Sequence, residues 1–209
     1  MTWLLATRSR GKRREWAALW PEPLLDLATL GVPRDPFEDE LERGSTFLAN
    51  ARAKARYFAA RTGHPTLAED SGLCVLALGG APGPDAKLFA GETGVDGAEA
   101  EAANRAWLLW VLGDLPFEAR EAFYHCTLVA RDPDGREIVA EGRTWGRILL
   151  APRGHGGFGY DPLFWSEDLG CTFAEASLEA KNAVSHRARA VRALRRALAR
   201  HVDTSSPAP

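Results

Sequence analysis

The chain has 209 residues, 45% of them hydrophobic and 26% charged, with a formal net charge of -2. That is enough apolar material for one large domain, and the near-neutral balance argues against a general binder of nucleic acid or acidic membranes. Cys74, Cys126 and Cys171 are odd in number and far apart, which excludes a disulfide framework or a C-x-x-C zinc site and predicts idle thiols in a reducing cytoplasm.

Residues 3–6 read as a short buried strand. Thr7-Arg8-Ser9-Arg10-Gly11-Lys12 breaks that pattern, and a helix follows from Lys12, with Trp16, Leu19 and Trp20 on one face and Pro21 and Pro23 ending it. Residues 21–42 are rich in proline and acid and read as loop, with a short strand near 24–27. Ser45 can cap a second helix that runs to Arg61. Its buried face is Phe47, Ala51, Ala55 and Phe58, and Asn50 and Lys54 share another face. Residues 66–68 predict a strand running into a tight turn at Glu69-Asp70-Ser71-Gly72. Residues 78–84 form a loop, and 98–112 a third helix with Ala103, Trp107, Leu108 and Val111 inward. Asp132-Pro133-Asp134-Gly135 joins 122–131 and 137–149 as a hairpin. A second glycine-rich loop covers 154–162. Ser185 can cap a last helix to about Val202, with Val191, Leu194 and Leu198 inward. The reading is one domain over 1–202 and a frayed tail over 203–209. No apolar run reaches membrane-spanning length, and the apolar stretch 1–6 is too short for a signal peptide, so a cytoplasmic protein is expected.

Four constellations carry possible chemistry. Arg8, Arg10, Lys12, Arg13 and Arg14 crowd the start of the first helix. A helix N-terminus already carries partial positive charge, so cations there cost energy. A glycine-containing loop after a strand also exposes backbone N–H groups, and the combination suits an anion such as phosphate. A solvated basic patch is the alternative that residue types alone leave open, and the G-x-x-x-x-G-K-[ST] spacing is absent. The same anomaly recurs at Ser185-His186-Arg187, with Lys181 upstream, which points to a shared anionic ligand. Glu69 and Asp70 at a strand end are placed to hold a hard cation; magnesium takes oxygen ligands and retains waters, so one or two carboxylates suffice, with Glu42 as the second candidate. A turn with two solvated acids explains the same residues. In the loop 154–162, Phe158 can stack on a planar base, or it is a core residue in a flexible loop. His125 and Cys126, adjacent on a strand, point to opposite faces and form no catalytic pair. His64, His155 and His201 show no metal-ligand spacing.

In order and mutual spacing, several segments resemble the inosine triphosphate pyrophosphatase family over residues 4–198. They are Ala6-Thr7-x-x-x-Gly11-Lys12, Thr46-Phe47-x-x-Asn50-Ala51-x-x-Lys54-Ala55, Asp70-Ser71-Gly72-Leu73, Leu78-Gly79-Gly80-Ala81-Pro82-Gly83, Gly156-Gly157-Phe158-Gly159-Tyr160-Asp161-Pro162 and Lys181-Asn182-Ala183-Val184-Ser185-His186-Arg187. The resemblance implies an α/β fold, elongated and two-lobed, with a long twisted mixed sheet flanked by helices and an active-site cleft between the lobes. It implies a homodimer that hydrolyses non-standard purine nucleoside triphosphates (ITP, dITP, XTP) to the monophosphate and pyrophosphate with Mg²⁺, with no nucleic-acid or membrane partner. Carried over by position, Thr7, Arg8, Ser9, Arg10, Gly11, Lys12 and Lys54 hold the phosphates. Asp70 is the essential carboxylate and shares the metal with Glu42. Ser71 contacts the substrate, and Phe158 stacks on the purine, with Gly159 and Tyr160 beside it. Asp161, Lys181, His186 and Arg187 line the base and sugar pocket.

The chain departs from the family pattern at three places. Ser9 stands where the family usually has asparagine, and Glu69-Asp70 replaces a pair of aspartates. Ala86-Lys87-Leu88 replaces Ser-Ala-Arg, so that Leu88 takes the arginine's place. Two other readings stay open: a septum-associated type of nucleotide pyrophosphatase acting on modified pyrimidine nucleotides, and a nucleotide-binding sensor with weakened catalysis.

Overall fold

The computed structural model describes residues 2–91 and 97–204. Seven strands, β1 (Leu4–Leu5), β2 (Leu25–Asp26), β3 (Thr66–Val75), β4 (Glu121–Arg131), β5 (Glu137–Ile148), β6 (Phe164–Ser166) and β7 (Cys171–Thr172), form one sheet in the order β2-β1-β3-β4-β5-β6-β7. β1 pairs parallel with β2 and β3, and β6 pairs antiparallel with β5 and β7, so the sheet is mixed. The helices are α1 (Arg10–Leu19), α2 (Phe47–Thr62), α3 (Ala98–Leu112), α4 (Leu178–Val184) and α5 (His186–Thr204), with a 3₁₀ turn at Pro36–Glu42. The mixed sheet with flanking helices expected from the resemblance is present.

The chain divides into two compact units. The first comprises Met1–Asp70, Cys126–Gly142 and His186–Pro209, and the second Ser71–His125 and Arg143–Ser185. In the first unit, alternation along the strands builds two apolar layers. Leu5, Leu67, Cys126, Leu128 and Ala130 pack against Trp16 and Trp20 of the α1 segment and Ala190, Val191 and Leu194 of α5. Leu4, Ala6, Ala68 and Val129 point the other way, onto Ala51, Ala55 and Phe58 of α2. The second unit buries Leu73, Val75, Ala122, Tyr124 and Ile148 with Leu108 and Leu112 of α3 and the rings of Phe164 and Phe173.

Several sequence expectations are corrected here. The turn predicted at 69–72 does not exist: β3 runs straight through it to Val75, because Leu73 and Val75 are fully buried and continue the apolar ladder. On α3 the inward stripe is Asn104, Leu108 and Leu112. The carboxamide of Asn104 fixes that register by accepting from Ala90 N (2.8 Å) and donating to the Lys87 carbonyl (2.9 Å). Trp107, expected inside, is 40% exposed and stacks on Trp110 with centroids 4.5 Å apart. Thr46, not Ser45, caps α2, its hydroxyl accepting from Ala49 N (3.1 Å). The helix α4 and the short strands β6 and β7 lie outside the elements expected from the sequence pattern. The last helix continues to Thr204, and residues 205–209 of the expected tail lie outside the described residues.

One glycine sets how closely α5 approaches the sheet. A Cβ on Gly142 of β5 would lie 2.2 Å from the His186 carbonyl oxygen and 2.4 Å from Ala190 N. Both neighbours are helix backbone and cannot yield by a side-chain rotation. Gly142→Ala should therefore lower the unfolding free energy by about 2 kcal/mol or more, read from urea denaturation. An unchanged midpoint would show that α5 does not press on this strand.

Candidate active site

The alternation of β3 decides where its two carboxylates go. Leu67 faces α1 and α5 while Ala68 faces α2. Glu69 therefore follows Leu67 and Asp70 follows Ala68.

On the α2 side, Asp70 is 6% exposed. Its Oδ1 accepts from Lys54 Nζ at 3.1 Å and its Oδ2 from Asn50 Nδ2 at 3.0 Å. Asn50 and Lys54 lie one turn apart on α2, so both reach the same strand residue. Lys54 Nζ also donates to Glu42 Oε1 at 2.9 Å. Asn50 is fully buried; it donates to the Glu42 carbonyl (3.2 Å) and accepts from Gly44 N (2.7 Å), which ties the end of the 3₁₀ turn to the cluster. Burial disfavours the Lys54 ammonium, but the Asp70 and Glu42 carboxylates outweigh it and hold its pKa above the ordinary value. The Glu42 side chain is the open member, 34% exposed.

On the opposite face, Glu69 lies in a buried charge network. Arg187 Nε donates to its Oε1 and Oε2 at 3.1 and 2.8 Å, and Arg187 Nη1 donates to Glu15 on α1. Trp16 Nε1 donates to Glu69 Oε2 at 3.2 Å, Cys126 Sγ lies 3.5 Å from the same oxygen, and Lys12 Nζ is 3.4 Å from Oε1. Glu15, Glu69 and Arg187 are 3%, 1% and 1% exposed. Burial alone would push the Glu69 carboxyl up, but Arg187 and Lys12 hold it far below the usual carboxylate range. Burial works against the Arg187 guanidinium in the same way, and Glu69 and Glu15 overcome it. The cation at the head of α5 is thus balanced by two carboxylates from its own unit.

The basic loop divides by role. Thr7 Oγ1 accepts from Ser9 N (3.2 Å), and Ser9 Oγ accepts from Lys12 N (3.3 Å), making Ser9 the N-cap of α1. Arg8 turns into its own unit: its guanidinium grips Glu38 with two bonds (3.0 and 2.8 Å) and donates to the Val32 and Pro33 carbonyls. Arg10 and Arg14 are exposed, whereas Gly11, Lys12 and Arg13 are half-buried. The buried His186 opens α5 next to Arg187.

In the second unit, Asp161 is 2% exposed and accepts from Lys181 Nζ (2.5 Å), Phe158 N (2.9 Å) and Tyr124 Oη (3.2 Å). The Lys181 ammonium lies 5.0 Å from the centroid of the half-exposed Phe158 ring. Gly157, at φ 70°, is required there, since a Cβ would meet Asp161 Oδ2 at 2.1 Å. Gly159 is engaged through its carbonyl, which accepts from Arg105 Nη1 at 2.7 Å. Tyr160 is buried, donates to the Ala86 carbonyl (2.8 Å), and has its phenol pKa pushed up by burial. Ser71, half-buried, begins the part of β3 that belongs to this unit.

Of the residues singled out from sequence, Glu42, Lys54 and Asp70 thus form one cluster in the first unit, where Lys12 and Arg187 share Glu69. Phe158, Asp161 and Lys181 form a second cluster, in the second unit. Sequence reasoning missed Glu15 and Glu38. Glu38 carried one signal, since it completes a capping box with Asp35; Glu15, on an ordinary amphipathic helix, carried none. Cys74, Cys126 and Cys171 are free thiols, and burial raises Cys74 to about 11. Among the described residues, no helix is long and apolar enough to cross a membrane.

The mixed sheet with its flanking helices makes this an α/β protein, and Lys54, Glu42 and Asp70 form a carboxylate–lysine cluster on it. The model of the Ham1 family matches residues 3–197. A dITP/XTP pyrophosphatase of Geobacter sulfurreducens is 45% identical over 192 residues, 92% of this chain and 94% of the relative. One from Lactiplantibacillus plantarum is 43% identical over 194 residues, 92% of each. The Staphylococcus aureus Ham1 protein superposes with a TM-score of 0.80 at 32% identity, covering 96% of this chain and 100% of that one. The nucleoside-triphosphatase / dITP/XTP pyrophosphatase of Mycobacterium abscessus does so with 0.70 at 39% identity, covering 93% and 98%. The chain belongs to the Ham1 family, and the resemblance read from its motifs is borne out.

Arg187→Met should lower the unfolding free energy by about 3–5 kcal/mol, because two buried carboxylates lose their shared cation. Arg195→Met, at the exposed pair with Glu22, should leave the urea midpoint close to that of wild type. The pH dependence follows from the same network. A carboxyl held below its ordinary 4.5 contributes its full stability above that value and loses it as the pH falls beneath. Wild-type urea midpoints should decline from about pH 5 to about pH 3. A flat profile would mean that Glu69 gains nothing from its partners.

Proposed function

We propose that this chain hydrolyses ITP, dITP and XTP to the nucleoside monophosphate and pyrophosphate. The observation that carries the reading is the cluster of Glu42, Lys54 and Asp70, in which two carboxylates converge on one buried ammonium and Asn50 fixes the arrangement. The naming of relatives at 43–45% identity as dITP/XTP pyrophosphatases supports it.

The oxygen donors of Glu42 and Asp70 suit Mg²⁺, which needs only one or two carboxylates and takes phosphate oxygens and water for the rest. When bound, magnesium supplies Lewis-acid neutralisation of the phosphate charge. Lys54 and Lys12 contribute fixed positive charge against the charge that builds on the phosphate oxygens as water attacks the α-phosphorus. Asp70 orients that water or takes its proton. Thr7, Ser9, Arg10 and Gly11 complete the phosphate contacts through the loop and the head of α1. The grip of Arg8 on Glu38 gives it the further task of holding that loop in place.

Phe158 stacks on the purine, and Asp161 holds Lys181 and the Phe158 backbone in position beside it. Ser71, Gly159, Tyr160 and His186 contribute substrate contacts from their own units, while Arg187, buried against Glu69 and Glu15, acts by holding Glu69. A donor aimed at the 6-keto oxygen accepts hypoxanthine and xanthine, whereas the amino group of adenine would leave that donor unpaired. Residues 1–202 act as one pyrophosphatase domain, in the cytoplasm, as a homodimer; sedimentation velocity should return twice the mass of the chain.

Pyrophosphate release with Mg²⁺ tests the reading. ITP, dITP and XTP should be cleaved at least about 100-fold faster than ATP. Asp70→Asn should lower turnover by about 10³-fold. Lys12→Ala should impair hydrolysis severely, and Ser9→Asn should leave it unchanged or improve it. No release from ITP above the Asp70→Asn background would contradict the proposal. Faster cleavage of dTTP or a modified UTP would transfer the chain to the pyrimidine-directed class.

A further inference from the structure

We infer that Glu69 is a positioning residue that sets the ammonium of Lys12 for productive engagement of a triphosphate, an inference that rests on the phosphate-holding role proposed for Lys12. Lys12 lies in the first turn of α1, which contains no acidic residue, and the acid one turn further on, Glu15, is engaged by Arg187. A lysine side chain is a flexible stem, and unrestrained it would sample many rotamers. The carboxylate that faces it is immobile. Glu69 is 1% exposed, Arg187 Nε holds both of its oxygens, and Trp16 Nε1 fixes Oε2. Oε1 meets Lys12 Nζ at 3.4 Å, with the lysine side chain 15% exposed. That distance is long for a charge-assisted hydrogen bond, so the pair orders the ammonium without consuming its donors.

The rest of the network supplies the rigidity. Glu15 lies three residues after Lys12 on the same helix and takes the other arm of Arg187. Arg187 therefore clamps α1 to β3 from the head of α5, one turn from where Lys12 leaves the helix. Glu15 and Glu69 carry two negative charges, and Arg187 and Lys12 two positive ones. Lys12 already faces Glu69, so an incoming phosphate has to compete with that carboxylate for the ammonium. Two effects of removing the Glu69 charge then oppose each other. Loss of a nearby anion strengthens the field that draws a phosphate in, and loss of the fixed partner releases Lys12 from its productive place. Ground-state binding and turnover should separate.

Glu69→Gln tests this. Inorganic tripolyphosphate, measured calorimetrically, should bind as tightly as to wild type or more tightly. The kcat for ITP should fall by about 10- to 100-fold, the scale of a misplaced catalytic group. In a Lys12→Met background the same substitution should produce no further fall in kcat. Acylation of Lys12 by acetic anhydride, mapped on peptides, should be slowed at least about tenfold by tripolyphosphate in wild type and less than about twofold in Glu69→Gln, the fold-change expected if a displaced ammonium no longer meets the anion. Full protection of Lys12 in Glu69→Gln, or losses from Glu69→Gln and Lys12→Met that multiply, would overturn the inference. Failure of the wild type to cleave any triphosphate would instead overturn the proposed function, while the protection readout still decides the role of Glu69. If Glu69→Gln does not fold, Trp16→Phe removes the donor that fixes Oε2 and leaves every charge in place; tripolyphosphate protection of Lys12 should then fall at least about threefold, and unchanged protection would overturn the inference.

Discussion

Neighbouring residues on a strand point to opposite faces, and in β3 that rule is applied to two adjacent carboxylates. Glu69 goes to the layer of α1 and α5, where Arg187 and Lys12 meet it. Asp70 goes to the layer of α2, where Lys54 and Asn50 meet it. Had β3 ended in a turn, both acids would have faced water with nothing to separate their roles. Because the strand continues through them, one carboxylate serves the buried frame and the other serves the open cluster with Glu42.

Burying Glu15, Glu69 and Arg187 is expensive before any pairing is counted. It is tolerated because each charge has an opposite partner at hydrogen-bond distance. Such a network is a weak source of net stability, but each member becomes costly to remove. The gain is geometric. Three elements distant in sequence, α1, β3 and α5, are fixed to one another at the place where the basic loop ends. Gly142 serves the same purpose from β5, letting the backbone of α5 descend onto the sheet.

Most long elements were legible in the sequence, because apolar periodicity and the punctuation of proline and glycine report burial directly. Helix α2 and the hairpin of β4 and β5 follow from such signals. The misplaced turn at 69–72 has a simple origin: two acids, a serine and a glycine look like solvent-exposed chain, and only the pairing of both carboxylates in the folded state makes them compatible with a buried strand. Trp107 was misjudged for a related reason, since size and apolarity suggest burial, whereas the inward register was set by the bonds of Asn104 to the segment 87–90. At the site, residue types and spacing singled out Lys54, Asp70 and Glu42. They did not show that Arg8 is bound to Glu38 or that Arg187 is balanced by Glu15, because ion pairs across 30 or 172 positions leave no local trace.

The central claim is that the two adjacent carboxylates of β3 have separate tasks, one holding the frame and one serving the reaction. Urea unfolding of Glu69→Gln and Asp70→Asn, side by side at neutral pH, tests it most directly. The account predicts that Glu69→Gln loses about 3 kcal/mol or more, whereas Asp70→Asn, still hydrogen-bonded beside a Lys54 paired with Glu42, stays within about 1 kcal/mol of wild type. Equal losses in the two variants, or a greater loss in Asp70→Asn, would contradict it.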